Sequence, residues 1–257
     1  MAKTLVIKLA ETIDNDELRK LGEMRFNIKP VSTVNPSYTP SQYTQKFAFT
    51  PSEPITLEIT GDGYFTDETL TQNLGKTLNA PAGYNTVYVS DGDYTLSILN
   101  KYALTMLWLS PTNSGSVEQT HKHWHINLAD FYGMDAFTRL YFHWVSAYGS
   151  LASMKNKNGM TDLDLITENG QVTGDLGDIA GLTSLTNLNL FNSGNGITGD
   201  ISSLAGMTEL TYADIRNCYK LTGNTSSIAH LHPDNGGKLA TFAYSGTQVT
   251  GDWPPSA

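Results

Sequence analysis

The sequence predicts an α/β-type solenoid of short parallel strands with an irregular convex side, preceded by a small N-terminal α+β cap or attachment element. Three observations carry this prediction. A short phrase recurs as Val172-Thr173-Gly174-Asp175, Ile197-Thr198-Gly199-Asp200, Leu221-Thr222-Gly223-Asn224 and Val249-Thr250-Gly251-Asp252, at intervals of 25, 24 and 28 residues. Before each copy stands an L-x-x-L-x-L phrase, with apolar positions at Met160, Leu163, Leu165; Leu185, Leu188, Leu190; Leu210, Ala213, Ile215; and Leu239, Phe242, Tyr244. The phrase GLTSL at residue 181 also returns as GMTEL at residue 206. Periods of this length mark coils that cannot bury their own apolar stripe and therefore stack on their neighbours.

The elements follow in chain order. Residues 1–50 are read as the cap or attachment element. Thr4 to Leu9 suggests a strand, and Ile13, Leu18, Leu21 and Met24 then leave a partly helical stripe that Asp14 or Asp16 would cap. The stretch KPVSTVNPSYTPSQYTQ, with Pro30, Pro36 and Pro40, has the composition of an extended connector, and KFAFTPSEPITLEI alternates like strands. Residues 51–257 are read as the solenoid. Leu57 with Ile59 and Val87 with Val89 are its faintest rungs, while Leu104, Leu107 and Leu109 fit a rung followed by the inserted loop PTNSGSVEQTHKHWH. The repeats are clearest over 128–257, because LADFYGMDAFTRLYF from Leu128 matches LGDIAGLTSLTNLNL from Leu176, two coils on. At the far end Trp253 is the natural lid for the last coil.

These phrases resemble the leucine-rich repeat family, in an I-T-G-D variant of bacterial or phage type whose I-T-G-x-I flavour also occurs in the plant-type class. The resemblance covers 160–257 most fully, extends over 100–159, and has no motif in 1–50. It implies that each L-x-L forms a short parallel strand, that Val172, Ile197, Leu221 and Val249 turn the chain back into the core, and that pairs such as Leu176 with Ile179 close the convex side. This chain departs from the family where Asn or Cys usually ties successive loops. It carries Glu168, Ser193, Cys218 and Thr247 there, so looser turns are expected, with Cys218 as a buried ladder residue.

Composition narrows the function. With 16 Lys and Arg against 25 Asp and Glu, the formal charge is -9 and there is no basic run, which argues against a nucleic-acid or anionic-membrane surface. The lone Cys218 excludes an intramolecular disulfide and a cysteine-based zinc site. The stretch MAKTLVIKLAETIDNDELRK is far short of a signal h-region or a membrane span, so no export signal is expected in this chain.

Two constellations compete for a functional role. In HKHWH, His121, His123 and His125 would share one face of a strand and could ligate a transition metal, although a solvent-facing loop with incidental histidines is the plainer reading. The second is the row of side chains that alternates with the core leucines. There Trp108, Tyr141, His143, Phe191, Tyr212 and Arg216 are of the kinds that anchor interfaces. No G-x-S-x-G or H-E-x-x-H motif is present, and the Gly-Asp clusters GDGYFTDE and SDGDY lack calcium-loop spacing. The expectation is a non-enzymatic module without cofactor that binds a protein partner through its concave face and is able to oligomerise. A phage virion component, such as a decoration or fibre-associated protein, is the first setting. An exported bacterial surface adhesin or ligand-binding protein is the alternative, and a metal-dependent enzyme around the histidine strand is third. Virion or cell surface is the expected location.

Overall fold

In the computed structural model, residues 22–28, 45–67, 72–90, 93–110, 124–167 and 171–254 are described. Their strands are β1 (Glu23–Ile28), β2 (Gln45–Pro51), β3 (Ile55–Gly61), β4 (Phe65–Thr66), β5 (Thr77–Ala80), β6 (Asn85–Val89), β7 (Tyr94–Leu99), β8 (Leu104–Ser110), β9 (Trp124–Asn127), β10 (Arg139–Ser150), β11 (Asp162–Thr167), β12 (Val172–Asp175), β13 (Asn187–Asn189), β14 (Gly194–Asp200), β15 (Tyr212–Asp214), β16 (Cys218–Thr222) and β17 (Thr241–Ala243). Among the described residues every helical segment is a short 3-10 turn.

The pairings form two rows that meet at one strand. In the first, β4, β6, β2 and β8 run antiparallel, β8 then pairs in parallel with the first half of β10, and β11, β13, β15 and β17 continue in parallel. In the second, β5, β3, β7, β1 and β9 are antiparallel, and β9 pairs in parallel with the second half of β10. β12, β14 and β16 extend that row. The long β10 changes rows at a bulge between His143 and Val145. The result is a large mixed sheet that closes nearly into a barrel around a continuous apolar interior.

This corrects the α/β-type solenoid expected over 51–257. The fold is nearly all β, and its first half is antiparallel. An L-x-L phrase says only that alternate side chains face a core, and period two is common to parallel and antiparallel strands. Leu57 with Ile59 and Val87 with Val89 accordingly lie in the antiparallel β3 and β6. Met24, expected on a helical stripe, is buried in β1 beside Phe26 and Ile28. The boundary expected at residue 50 falls inside β2, which pairs with both β6 and β8. The expected strand Thr4 to Leu9, the caps Asp14 and Asp16 and the proline-rich connector lie outside the described residues.

The irregular side is built from 3-10 turns. Leu176–Ile179 and Ile201–Leu204 each bury two apolar side chains and are capped by Asp175 and Asp200, which accept the backbone N–H of Gly177 and Ser202 at 2.8 and 2.9 Å. The glycine of each phrase makes room for the cap of the coil before it. Gly199 has φ +111°, and a Cβ there would lie 2.8 Å from a carboxylate oxygen of Asp175.

Threonines just before the strands tie the coils together. The Oγ1 atoms of Thr138, Thr161, Thr186 and Thr211 each donate to the carbonyl of the preceding ladder threonine, from Thr105 through Thr186, at 2.9, 3.4, 3.0 and 2.9 Å. Thr105 itself donates to the carbonyl of Thr50 at 2.9 Å. The loop turns are likewise held. Ser193 Oγ and Cys218 Sγ both reach the Leu190 carbonyl, at 2.9 and 3.1 Å, and Thr247 Oγ1 reaches that of Tyr244 at 2.7 Å. Of these three bonds only that of Cys218 crosses to the preceding coil, while Ser193 and Thr247 close their own turns, so no unbroken side-chain ladder ties the loops at these positions.

Four residues before the ladder threonines runs a column that reads Lys101, Met134, Lys157, Leu182 and Met207. Both lysines are fully buried, and their Nζ atoms donate to the carbonyls of Asp130 and Phe131, at 2.7 Å each. They thus close on one 3-10 turn, Leu128–Phe131, from the coils on either side.

At the far end Trp253 packs edge-on against Phe242 and His232, with ring centroids 5.4 and 5.2 Å apart.

Candidate functional site

The ladder β8, β10, β11, β13, β15 and β17 buries Leu107, Leu140, Leu163, Leu188, Ala213 and Phe242 on one side. The residues between them fall on the other side, in columns set by the parallel register. One column reads Met106, Arg139, Asp162, Asn187, Tyr212, Thr241, and the next reads Trp108, Tyr141, Asp164, Asn189, Asp214, Ala243. His143 and Ile166 begin a third.

Each expected binding residue has a place on this face. Trp108 is 43% exposed and leans over Tyr141, ring centroids 6.0 Å apart. His143 Nε2 lies 2.9 Å from Asp164 Oδ2. Arg216 grips Asp214 through Nε and Nη2, with contacts of 3.0, 3.1 and 2.5 Å, and its guanidinium stands 5.0 Å from the centre of the Phe191 ring. Tyr212 donates its hydroxyl to Asp214 at 3.3 Å. The structure thus brings Trp108 together with Tyr141, and Phe191, Tyr212 and Arg216 around Asp214. His143 stands with Asp164 between these two groups.

Sequence reasoning singled out the aromatic and basic residues and passed over the carboxylates that organise them. Asp164, Asn189 and Asp214 are 7%, 8% and 1% exposed, although they point away from the leucine core. Two of them serve the backbone. Asn189 Oδ1 accepts the N–H of Phe191 and Asp214 Oδ1 that of Arg216, both at 3.0 Å, which ends each strand in a side-chain-closed turn. Asp164 has no such duty, because β11 runs on through Ile166 to Thr167 alongside β10. The signal for these roles was the recurrence of a short polar acceptor at the second outward position of successive rungs.

Burial and neighbouring carboxylates together set the protonation of the face. Burial, then the charge of Asp162 and a hydrogen bond to it, push the Tyr141 phenol up to about 12. Burial and then Asp214 raise Tyr212 in the same direction. Both phenols therefore remain neutral donors across the physiological range. The hydrogen bonds that Arg216 donates to Asp214 hold its guanidinium more firmly charged.

Of the histidines considered as metal ligands, His125 is half-buried in β9, between Asn27 of β1 and Ser146 of β10. His121 and His123 lie outside the described residues. Among the described residues no group of three or more His, Cys, Asp or Glu is placed to hold a metal ion. No helix among them is long and apolar enough to cross a membrane.

No protein-family model matches the chain, and no curated protein matches it. Solved structures similar to it include a plant peptide hormone receptor, RGFR1, in complex with RGF2. That likeness has a TM-score of 0.34 and 16% identity, over 51% of this chain and 23% of the receptor. The chain spans about a quarter of that receptor's length, and the likeness does not place it in a family.

Proposed function

We propose that this protein is a non-enzymatic binding module whose polar and aromatic ladder face receives a polypeptide partner. The observation that carries the reading is Trp108, a large side chain 43% exposed on a regular sheet face and backed by Tyr141. Indole and phenol rings held in place by neighbours supply contact area with little ordering cost, which is why they dominate interface energetics. Arg216 is held as well, by the buried Asp214 carboxylate, and Arg139 lies 3.6 Å from Asp162 on the same face. A rigid, mixed surface of this kind suits recognition of a side-chain pattern.

The test is a peptide-display selection on the immobilised protein, followed by affinity measurements on two variant pairs. Trp108→Ala with Tyr141→Ala should weaken the selected peptides by roughly 2 kcal/mol, about thirtyfold in Kd. Ser202→Arg with Ser226→Arg, exposed on the 3-10 side, should leave them unchanged. Peptides that lose affinity to the serine pair and not to the aromatic pair would move the binding surface to the opposite side and overturn the proposal.

A further inference from the structure

We infer that the group this face receives is a cation, the guanidinium or ammonium of an arginine or lysine in the partner, seated on the Trp108 and Tyr141 rings and directed at Asp164. The inference rests on the ladder-face reading above and adds the chemistry of its partner.

Among the described residues three carboxylates lie on the face, and two of them have no buried oxygen left without a partner. Asp162 accepts the Thr161 hydroxyl at 2.7 Å and has Arg139 Nε at 3.6 Å, both on Oδ2. Asp214 takes the Arg216 guanidinium, the Arg216 N–H and the Tyr212 hydroxyl. Asp164 differs. Its Oδ2 has His143, but its Oδ1 is shielded from solvent and has no donor, although the side chain is only 10% exposed. A buried acceptor without a donor is costly, and more so when charged. The equivalent oxygens one and two rungs on, in Asn189 and Asp214, accept backbone N–H groups, so of these three side chains Asp164 alone has a buried oxygen without a donor.

The surroundings select a cation over a neutral donor. The neighbour of Asp164 in the column is Tyr141, and beyond it is Trp108, so the carboxylate lies at the end of an aromatic ledge. Strand neighbours are about 4.8 Å apart. A guanidinium lying on the Tyr141 ring therefore reaches the next rung without stretching. Ring faces attract cations, and they do so more strongly when water is excluded. The two arginines of the face do not compete for the place, because Arg139 and Arg216 are held by Asp162 and Asp214. The overall charge of -9 favours the approach of a basic segment.

The experiment uses the full chain and short Gly-Ser peptides that differ in one central residue: arginine, lysine, citrulline or glutamate. Binding is followed by NMR through the Trp108 indole and the Asp164 amide. The arginine and lysine peptides should shift both signals at millimolar concentration. Citrulline, which has the shape of arginine without its charge, and glutamate should bind roughly tenfold more weakly or worse. Asp164→Asn should weaken the arginine peptide to a similar degree, and its melting temperature should be unchanged or higher, because an orphaned charge has been removed. Equal binding of arginine and citrulline peptides, or an Asp164→Asn variant that binds arginine as well as the parent, would overturn the inference. If display-selected peptides still depended on Trp108, the ladder-face reading would survive that result. A loss of both would sink the two together.

Discussion

Replacing Lys157 by methionine should stabilise the protein near neutral pH, and the gain should fade in alkali. Lys157 occupies a column filled elsewhere by Met134, Leu182 and Met207, and it is fully buried. Burial is the chief cause that lowers its ammonium from 10.5 to about 8, aided by the nearby charge of Lys101 and opposed by that of Asp135. A fall of this size corresponds to roughly 3 kcal/mol of penalty on the charged form. Methionine removes that penalty and fits a position that neighbouring coils already give to methionine. It also removes the hydrogen bond to the Phe131 carbonyl, worth about 1 kcal/mol, but that carbonyl keeps the N–H of Met134 at 3.1 Å. The expected net gain at pH 7 is about 2 kcal/mol, or several degrees in melting temperature for a chain of this size.

The pH dependence separates this cause from better packing alone. Below pH 8 the lysine is protonated in both folded and unfolded chains, and the full penalty is present. Between about 8 and 10.5 the unfolded chain holds a proton that the folded one has released, so the parent gains stability as pH rises and the variant does not. The Tyr141 phenol and the Cys218 thiol, both pushed up to about 12, act in the opposite direction, but they do so equally in both proteins and cancel in the difference. Urea unfolding of parent and variant at intervals from pH 7 to 10.5 provides the measurement. A variant less stable than the parent at pH 7, or a difference that stays constant through that window, would refute the reasoning.

Two further outcomes follow from the coil geometry and the buried thiol. Gly199→Ala should cost more than about 2 kcal/mol, from left-handed backbone strain and a Cβ 2.8 Å from Asp175, whereas Gly181→Ala, with nothing within 4 Å, should be nearly silent in thermal melts. Cys218 should resist a thiol reagent at pH 8 in the folded protein and react at once in denaturant, since burial pushes its thiol up to about 12 and its sulfur donates to the Leu190 carbonyl; rapid labelling of the native chain would contradict that placement.

The sequence alone determined the coil period over the last half of the chain and the inward set Leu163, Leu165, Leu188, Leu190, Ile215 and Leu221. These follow from a local rule, because an apolar side chain repeated at a constant spacing has to face a common interior. Which strands pair, and in which direction, was decided only in three dimensions. Leu57 and Leu188 sit in the same short alternation, yet one lies in an antiparallel pair and the other in a parallel ladder, since direction depends on how the connecting segments close and alternation does not record it. The site divides in the same way. Trp108 and Tyr141 were legible as outward aromatics, because they alternate with the core leucines of their rungs. Asp164 and Asp214 were not, because an aspartate on an outward position reads as ordinary solvated surface until neighbouring rungs bury it. The buried Lys101 and Lys157 were hidden for the same reason. A lysine in an apolar column becomes tolerable only when stacking brings a backbone carbonyl of an adjacent coil to its ammonium, and that carbonyl is supplied by tertiary structure alone.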